Sequence, residues 1–369
     1  MDFAPTPQQQ LLAQSARAFL QQHCPIERVQ ALALEPAGFA SDVWQAMATL
    51  GWTGLLIPQE QGGGGGSMLD VVTLVEEMGR ACLPSPFIQS AVVATSILLD
   101  ASDSRTPHRL LPSLALGDRI ATVALVEESG RYETEALDTR SDVPGRLVGR
   151  KLFVKDAHVA TDLIVVAHGG GAPNVLLLPV DRKGIRVLPL DAMGGDKLFE
   201  VIFDNVEVQR EDLLGREGYG KDLLAPALRL GALARSAEMV GAAARILDLA
   251  VEHARVRVQS GRPIGAFQAI QHDCADLLRD VMASRSLVQE AAWRVTQGLA
   301  SGAAVSVAKA FSTEACLRVA RRGHQIMGAL GYCEEHPLHL FHKRILAAGL
   351  DCGDTSMHLE TVASSIGLA

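Results

Sequence analysis

RVQSGRPIGAFQAIQHDCADLL, residues Arg257 to Leu278, sets a Gly-Arg-Pro-Ile turn between two long helical runs. It adds Arg257, the amides of Gln259 and Gln268, and His272 to a scaffold that is otherwise apolar on both sides. An always-charged guanidinium presents a planar fork of donors, so Arg with neighbouring amides suits a phosphate-bearing ligand.

Outward from this junction, the chain from about Tyr219 to its end is patterned for helix. LLAPALRLGALARSAEMVGAAARILDLAVEHARVRV reads as one long helix or a broken pair, and two more long runs follow. Long apolar-striped helices with short connections imply a bundle. From about Ile120 to Val208 the period drops to two. IATVALVEE, RLVGRKLFVKDA, DLIVVAH, NVLLLPV, GIRVLPL and LFEVIFDNVEV are strand-like runs separated by Gly, Pro, Asp and Asn. No helix-length run alternates with them, so a small antiparallel barrel or sandwich is expected in place of a parallel βαβ sheet. From Pro7 to about Asp118 the pattern is helical again. The expected fold is α+β in three domains: an N-terminal helical domain 1–118, a central antiparallel β-barrel or sandwich 119–215, and a C-terminal four-helix bundle 216–369.

Composition excludes several function classes. The 369 residues are 48% hydrophobic and 21% charged with a net charge of −8, which describes a folded globular protein without the basic stripe that nucleic acid requires. The six cysteines form no CxxC pair, so neither a disulfide framework nor a zinc site is expected, and a reducing compartment fits. The start has no secretory pattern and no apolar run is long enough to span a bilayer, so the expectation is a cytoplasmic protein. His336, His339 and His342 recur at three-residue spacing, but Pro337 interrupts them and no carboxylate cluster accompanies them, so no metal is expected. Ile57–Ser67 is glycine-rich but lacks the Gly-Lys-Ser/Thr of a phosphate loop, and reads as a flexible loop before an N-capped helix.

The Arg257–Leu278 stretch resembles the cofactor-binding junction of the acyl-CoA dehydrogenases, which has the form RxQFGxPIxxFQxxxHxxADM, and the helical, β, helical order resembles that family over nearly the whole chain. Further motifs are similar: Gln325–Tyr332 to Q-x-x-G-G-x-G-(Y/F), Gly149–His158 to G-x-K-x-(W/F)-(I/V)-(T/S)-x, and Glu335–Arg344 to a bacterial subgroup, several members of which act on steroid side chains or other bulky acyl groups. The resemblance implies FAD held by Arg257, Gln259, Gln268, Gln325, Gly328 and Phe153. It implies α,β-dehydrogenation of an acyl-CoA to the trans-2-enoyl-CoA, with electrons passed to an electron-transfer flavoprotein. A homo-oligomer or a pairing with an unlike subunit follows, because the junction reaches a neighbour's FAD in that family.

The chain departs from the pattern at several points. Lys155 stands where the family commonly has a hydroxyl, where it would assist an anionic flavin or lie solvated, and Ala329 and Ser260 replace family residues. The flavin-contacting T-E-x-x-x-G-S-D loop is reduced to Val126–Gly130. Both positions that usually carry the catalytic Glu hold glycine, Gly353 and Gly231. Asp354 and Glu238 are the alternative candidates for the base that removes the α-proton, with Asp351 a third carboxylate two residues from Gly353. A non-catalytic subunit of an unlike-subunit complex, or a redox-neutral enzyme on the same fold, are the other readings.

Overall fold

In the computed structural model, residues 5–101, 105–134, 137–193 and 195–368 are described. The N-terminal part is helical: α1 (Pro7–His23), α2 (Ile26–Leu34), α3 (Ser41–Thr49), α4 (Met68–Arg80), a π-helical turn (Ile88–Ala94) running into α5 (Thr95–Asp100), and α6 (Arg105–Ala115). Thr6 caps α1 and Ser67 caps α4, each in a reciprocal capping box that satisfies end N–H groups. The glycine run before α4 is not a flexible loop. Gly63, Gly64, Gly65 and Gly66 N–H donate to the carbonyls of Pro58, Gly54, Ile57 and Leu55.

The strands are β1 (Ala121–Ala124), β2 (Arg140–Ser141), β3 (Gly145–Lys155), β4 (Asp162–Gly169), β5 (Ala172–Pro179), β6 (Ile185–Leu190) and β7 (Leu198–Val208). They form one sheet in the order β1-β4-β2-β3-β7-β6, with β5 also on β4. Most pairs are antiparallel, as the short turns between them dictate. β1 and β2, however, both run parallel to β4, so the sheet is mixed. The runs read from the period of two correspond closely to β1 and β3–β7. The two-residue β2 carries too little pattern to be seen.

The C-terminal part is α7 (Gly220–Val256), a tight hairpin of β8 (Val258–Gln259) and β9 (Arg262–Pro263), α8 (Gln268–Thr296), α9 (Gly302–Met327), α10 (Leu338–Leu350) and α11 (Thr355–Ser365). α7 is a single unbroken helix. It is buried on most of its circumference because α4, α8, α9 and α10 all pack on it. Its contact with α4 is close enough to demand glycine: a Cβ on Gly241 would sit 1.9 Å from the Glu76 carbonyl oxygen, and one on Gly79 2.1 Å from that of Glu238. The N-terminal helices and the bundle share one apolar core, while the sheet keeps a second around Leu147, Val165, Leu176, Val201 and Phe203. Among the described residues, no helix is long and apolar enough to cross a membrane.

Candidate active site

A cavity of about 690 Å3 opens between the sheet and the α10–α11 turn. Phe153 forms part of its wall for a local reason. The β3–β7 register shifts between Lys151 and Val154, and Phe153 sits in this bulge at φ 56°, with half its surface bare. A bulge re-aims a side chain, and a positive φ in a bulky residue is strain that such sites tolerate. Phe153 is thereby turned out of the sheet core and onto the cavity.

The floor is a buried ionic network centred on Asp351, at the C-terminus of α10. Asp351 Oδ2 accepts from Arg235 Nε (2.7 Å) and Gln89 Nε2 (3.4 Å), and Lys155 Nζ lies 3.7 Å away. Its Oδ1 accepts from Tyr132 Oη (3.0 Å) and from the Cys352 N–H (3.1 Å). Lys309 Nζ donates to the carbonyls of Ala348, Gly349 and Asp351, which fixes the end of α10. Asp196 bonds Lys155, and Arg344 Nη1 donates to it at 2.6 Å. Burial pushes the Asp351 carboxyl up, but Lys155 and Arg235 outweigh it and hold the group at about 2. Asp196 is likewise held well below the carboxylate range against its own burial, by Lys155 and Arg344. Burial beside Asp351 raises the Tyr132 phenol well above 10. Tyr132 rides on the segment after β1, which a second buried pair secures: Glu127 accepts from Lys151 Nζ at 2.6 Å and from the N–H groups of Asp138 and Thr139.

The structure separates the residues singled out from the sequence. Phe153 and Asp354 line the cavity. Glu238 does not: it is buried and bonds Arg235 Nη1 at 2.7 Å, with Arg344 Nη1 at 3.8 Å. Asp354 is exposed and its carboxylate accepts the Met357 N–H at 2.9 Å, capping α11. Arg257, Gln259, Gln268, Gln325 and Gly328 are exposed and outside the cavity. They cluster nonetheless, because α8 and α9 form an antiparallel pair that places Gln268 and Gln325 at one end of the bundle, beside the β8–β9 hairpin that carries Gln259. Lys155 is not left to solvent; it is half-buried and ion-paired with Asp196. No residue of α4 lines the cavity among the described residues. The His339 ring bonds the Glu334 carbonyl and the His342 ring lies against His324; among the described residues no group of three or more His, Cys, Asp or Glu is placed to hold a metal ion.

At the two glycines that align with the family's base positions an added side chain would meet neighbours, although Gly353 itself lines the cavity. A Cβ on Gly231 would lie 2.7 Å from Cys352 Sγ and 2.8 Å from Val93 Cγ2. Gly353 has φ +102°, and its Cβ would meet Met357 Cε at 2.4 Å. Sequence reasoning did not single out Tyr132, Gln89, Arg235, Asp196 or Arg344. One signal was readable: Arg235 and Glu238, spaced i,i+3, are isolated charges in an Ala-rich apolar run, which suggests a buried pair.

The comparisons with known proteins agree with this architecture. Residues 6–118 match the family model for the acyl-CoA dehydrogenase N-terminal domain, and residues 218–367 match that for the C-terminal domain. The chain is similar to the 3-(aryl)acrylate reductase of Clostridium sporogenes (strain ATCC 15579), 29% identical over 98% of this chain and 99% of that protein. Among solved structures it is similar to the ChsE4-ChsE5 complex from Mycobacterium tuberculosis, 26% identical with a TM-score of 0.90 and full coverage of both chains. An FAD-dependent dehydrogenase is 26% identical with a TM-score of 0.89, again over the whole of both chains. The chain belongs to the acyl-CoA dehydrogenase family.

Proposed function

We propose that this chain binds FAD and oxidises an acyl-CoA thioester to the trans-2-enoyl-CoA. The observation that carries the reading is Phe153, turned by a bulge onto the wall of a cavity large enough for a flat ring and an acyl group. The residues fit FAD in two parts. Phe153 offers an exposed aromatic face at the cavity. The exposed Arg257, Gln259, Gln268, Gln325 and Gly328 offer charge, amides and a close backbone approach for a pyrophosphate. In a dimer, the junction of one chain would serve the cavity of its neighbour. FAD supplies the acceptor for the hydride that leaves the β-carbon.

The proton-transfer role falls to Asp354. It lines the cavity, and its accepted Met357 N–H leaves lone pairs free for a substrate α-proton. Asp351 is saturated with donors and too acidic to serve, and Glu238 is spent on Arg235. Electrons would pass on to an electron-transfer flavoprotein, and the setting would be cytoplasmic.

A second reading is favoured by the two glycines at the usual base positions: the chain is the non-catalytic member of an unlike-subunit acyl-CoA dehydrogenase, lending its phosphate-binding junction to a partner's site. Redox-neutral chemistry on this fold is the third. The absorbance spectrum of the chain, purified alone, tests them. Flavin bands near one per chain that bleach with an acyl-CoA support the self-sufficient enzyme. A colourless protein that stays colourless with added FAD refutes it.

A further inference from the structure

Behind the cavity floor lies a second, smaller void of about 30 Å3. Val126, Tyr132, Phe153, Lys155 and Asp351 line both spaces and so form the wall between them. On its inner side the void meets Val93 of the π-helical turn, Val123 of β1 and Leu228 of α7. Its inner side is apolar, while Gln89, Lys155 and Asp351 line it on the side of the wall; it has room only for a water molecule or a methyl group.

The wall is fixed. Tyr132 Oη donates to Asp351 Oδ1, and Gln89 and Arg235 hold Oδ2 from the far side. Swinging Tyr132 aside would strip a donor from a buried, ionised carboxylate. Asp351 cannot retreat either, because Lys309 holds the last carbonyls of α10 and the Asp351 carbonyl itself.

We infer that the hydrogen-bonded wall of Tyr132 and Asp351 sets the substrate class: acyl groups compact enough to stay in the outer cavity are accepted, and straight chains that would thread inward between β1, the π-helical turn and α7 are refused. Tyr132 is the specificity-determining residue. The inference rests on the acyl-CoA reading above and narrows it.

The test uses the full chain loaded with FAD, with butyryl-CoA and octanoyl-CoA as probes, read both by dye-coupled kcat/KM and by the change in flavin absorbance on binding. Wild-type protein favours butyryl-CoA. Tyr132→Ala joins the two spaces and raises the octanoyl-to-butyryl ratio at least about tenfold, since one methylene in an apolar pocket is worth about 10- to 200-fold. Tyr132→Phe keeps the ring but loses the bond to Asp351 that holds it, so the ratio shifts in the same direction by less than in the Ala variant. Tyr132→Leu, which fills more of the space than Ala, gives a smaller shift in the same direction and serves if the Ala variant does not fold. Wild-type protein that takes octanoyl-CoA as well as butyryl-CoA, or Ala and Leu variants that leave the ratio unchanged, overturn the inference and leave the acyl-CoA reading standing. FAD-loaded wild-type protein that binds neither probe overturns that reading and the inference with it.

Discussion

Replacing Asp351 by Ala is the sharpest test of the ionic floor. The carboxylate is buried and accepts from Arg235, Gln89, Tyr132 and the Cys352 N–H. Its removal leaves Arg235 with Glu238 alone and strands the Tyr132 hydroxyl. Breaking a buried pair by removing one partner costs about 3–5 kcal/mol. At about 2 °C per kcal/mol for a chain of this size, melting followed by calorimetry or circular dichroism should fall by about 6–10 °C. Acid gives an independent magnitude. The folded group sits at about 2, against about 3.9 unfolded, so its charge contributes about 2–3 kcal/mol. Because the folded value is depressed, that contribution is complete above pH 4 and is lost as pH falls towards 2. The mutation costs more than the titration because protonated Asp351 still fills its space and keeps hydrogen bonds. A double-mutant cycle closes the argument. Arg235→Met with Asp351→Leu should cost about 2 kcal/mol less than the sum of the single changes, since Glu238 keeps Arg344 and Lys155 keeps Asp196. A Tm drop under about 2 °C for Asp351→Ala, or strict additivity in the cycle, would refute the reasoning.

Four further outcomes are expected. Asp354→Asn retains an N-cap residue, so Tm should move by about 1 °C or less, while kcat/KM for an acyl-CoA falls by at least about 100-fold; unchanged turnover removes Asp354 as the base. Glu238→Gln should do the reverse, costing about 3 kcal/mol in urea titration while leaving flavin reduction by substrate intact in the folded fraction. Burial raises the Asp156 carboxyl to about 6, so its folded pKa lies above the unfolded one and its charge is a penalty that is absent below pH 4 and complete above pH 6. Asp156→Asn should therefore gain about 3 kcal/mol at pH 7.5 and nothing at pH 4, and an equal gain at both pH values would exclude this cause. Gly353→Ala should lose more than about 1 kcal/mol by thermal melting, because its φ of +102° disfavours any side chain.

The architecture was legible because it is written in periodicity. Strands β3 to β7 are runs of β-branched and apolar residues broken by Gly, Pro, Asp and Asn, and the bundle helices carry long apolar stripes. The phosphate-suited junction at Arg257 was legible as a local string of residue types. What lay beyond reading is what depends on distant partners. Arg235 and Asp351 are 116 positions apart, and Gln89 and Asp351 are 262 apart. Arg235 reads as the partner of Glu238 and Asp351 as one carboxylate near a turn, but nothing local joins the two to each other or to Gln89. The Phe153 bulge is equally silent, since a one-residue register shift leaves no mark on composition.

The glycines at 231 and 353 bear on how the site should be understood. A carboxylate lost by simple drift would leave a space of its own size, and restoring it would be a matter of one substitution. Here both positions have close neighbours. Cys352 Sγ and Val93 occupy the approach to Gly231, and Met357 and His358 close over Gly353 in a turn whose backbone, at Cys352 and Gly353, has positive φ. Asp351, held on five sides by donors or by Lys155, anchors the same turn to Arg235, while Lys309 holds its backbone. On the proposed reading the proton is taken by Asp354, whose carboxylate is exposed and lines the cavity, and not by Asp351, whose oxygens are taken up by Arg235, Gln89, Tyr132 and the Cys352 N–H.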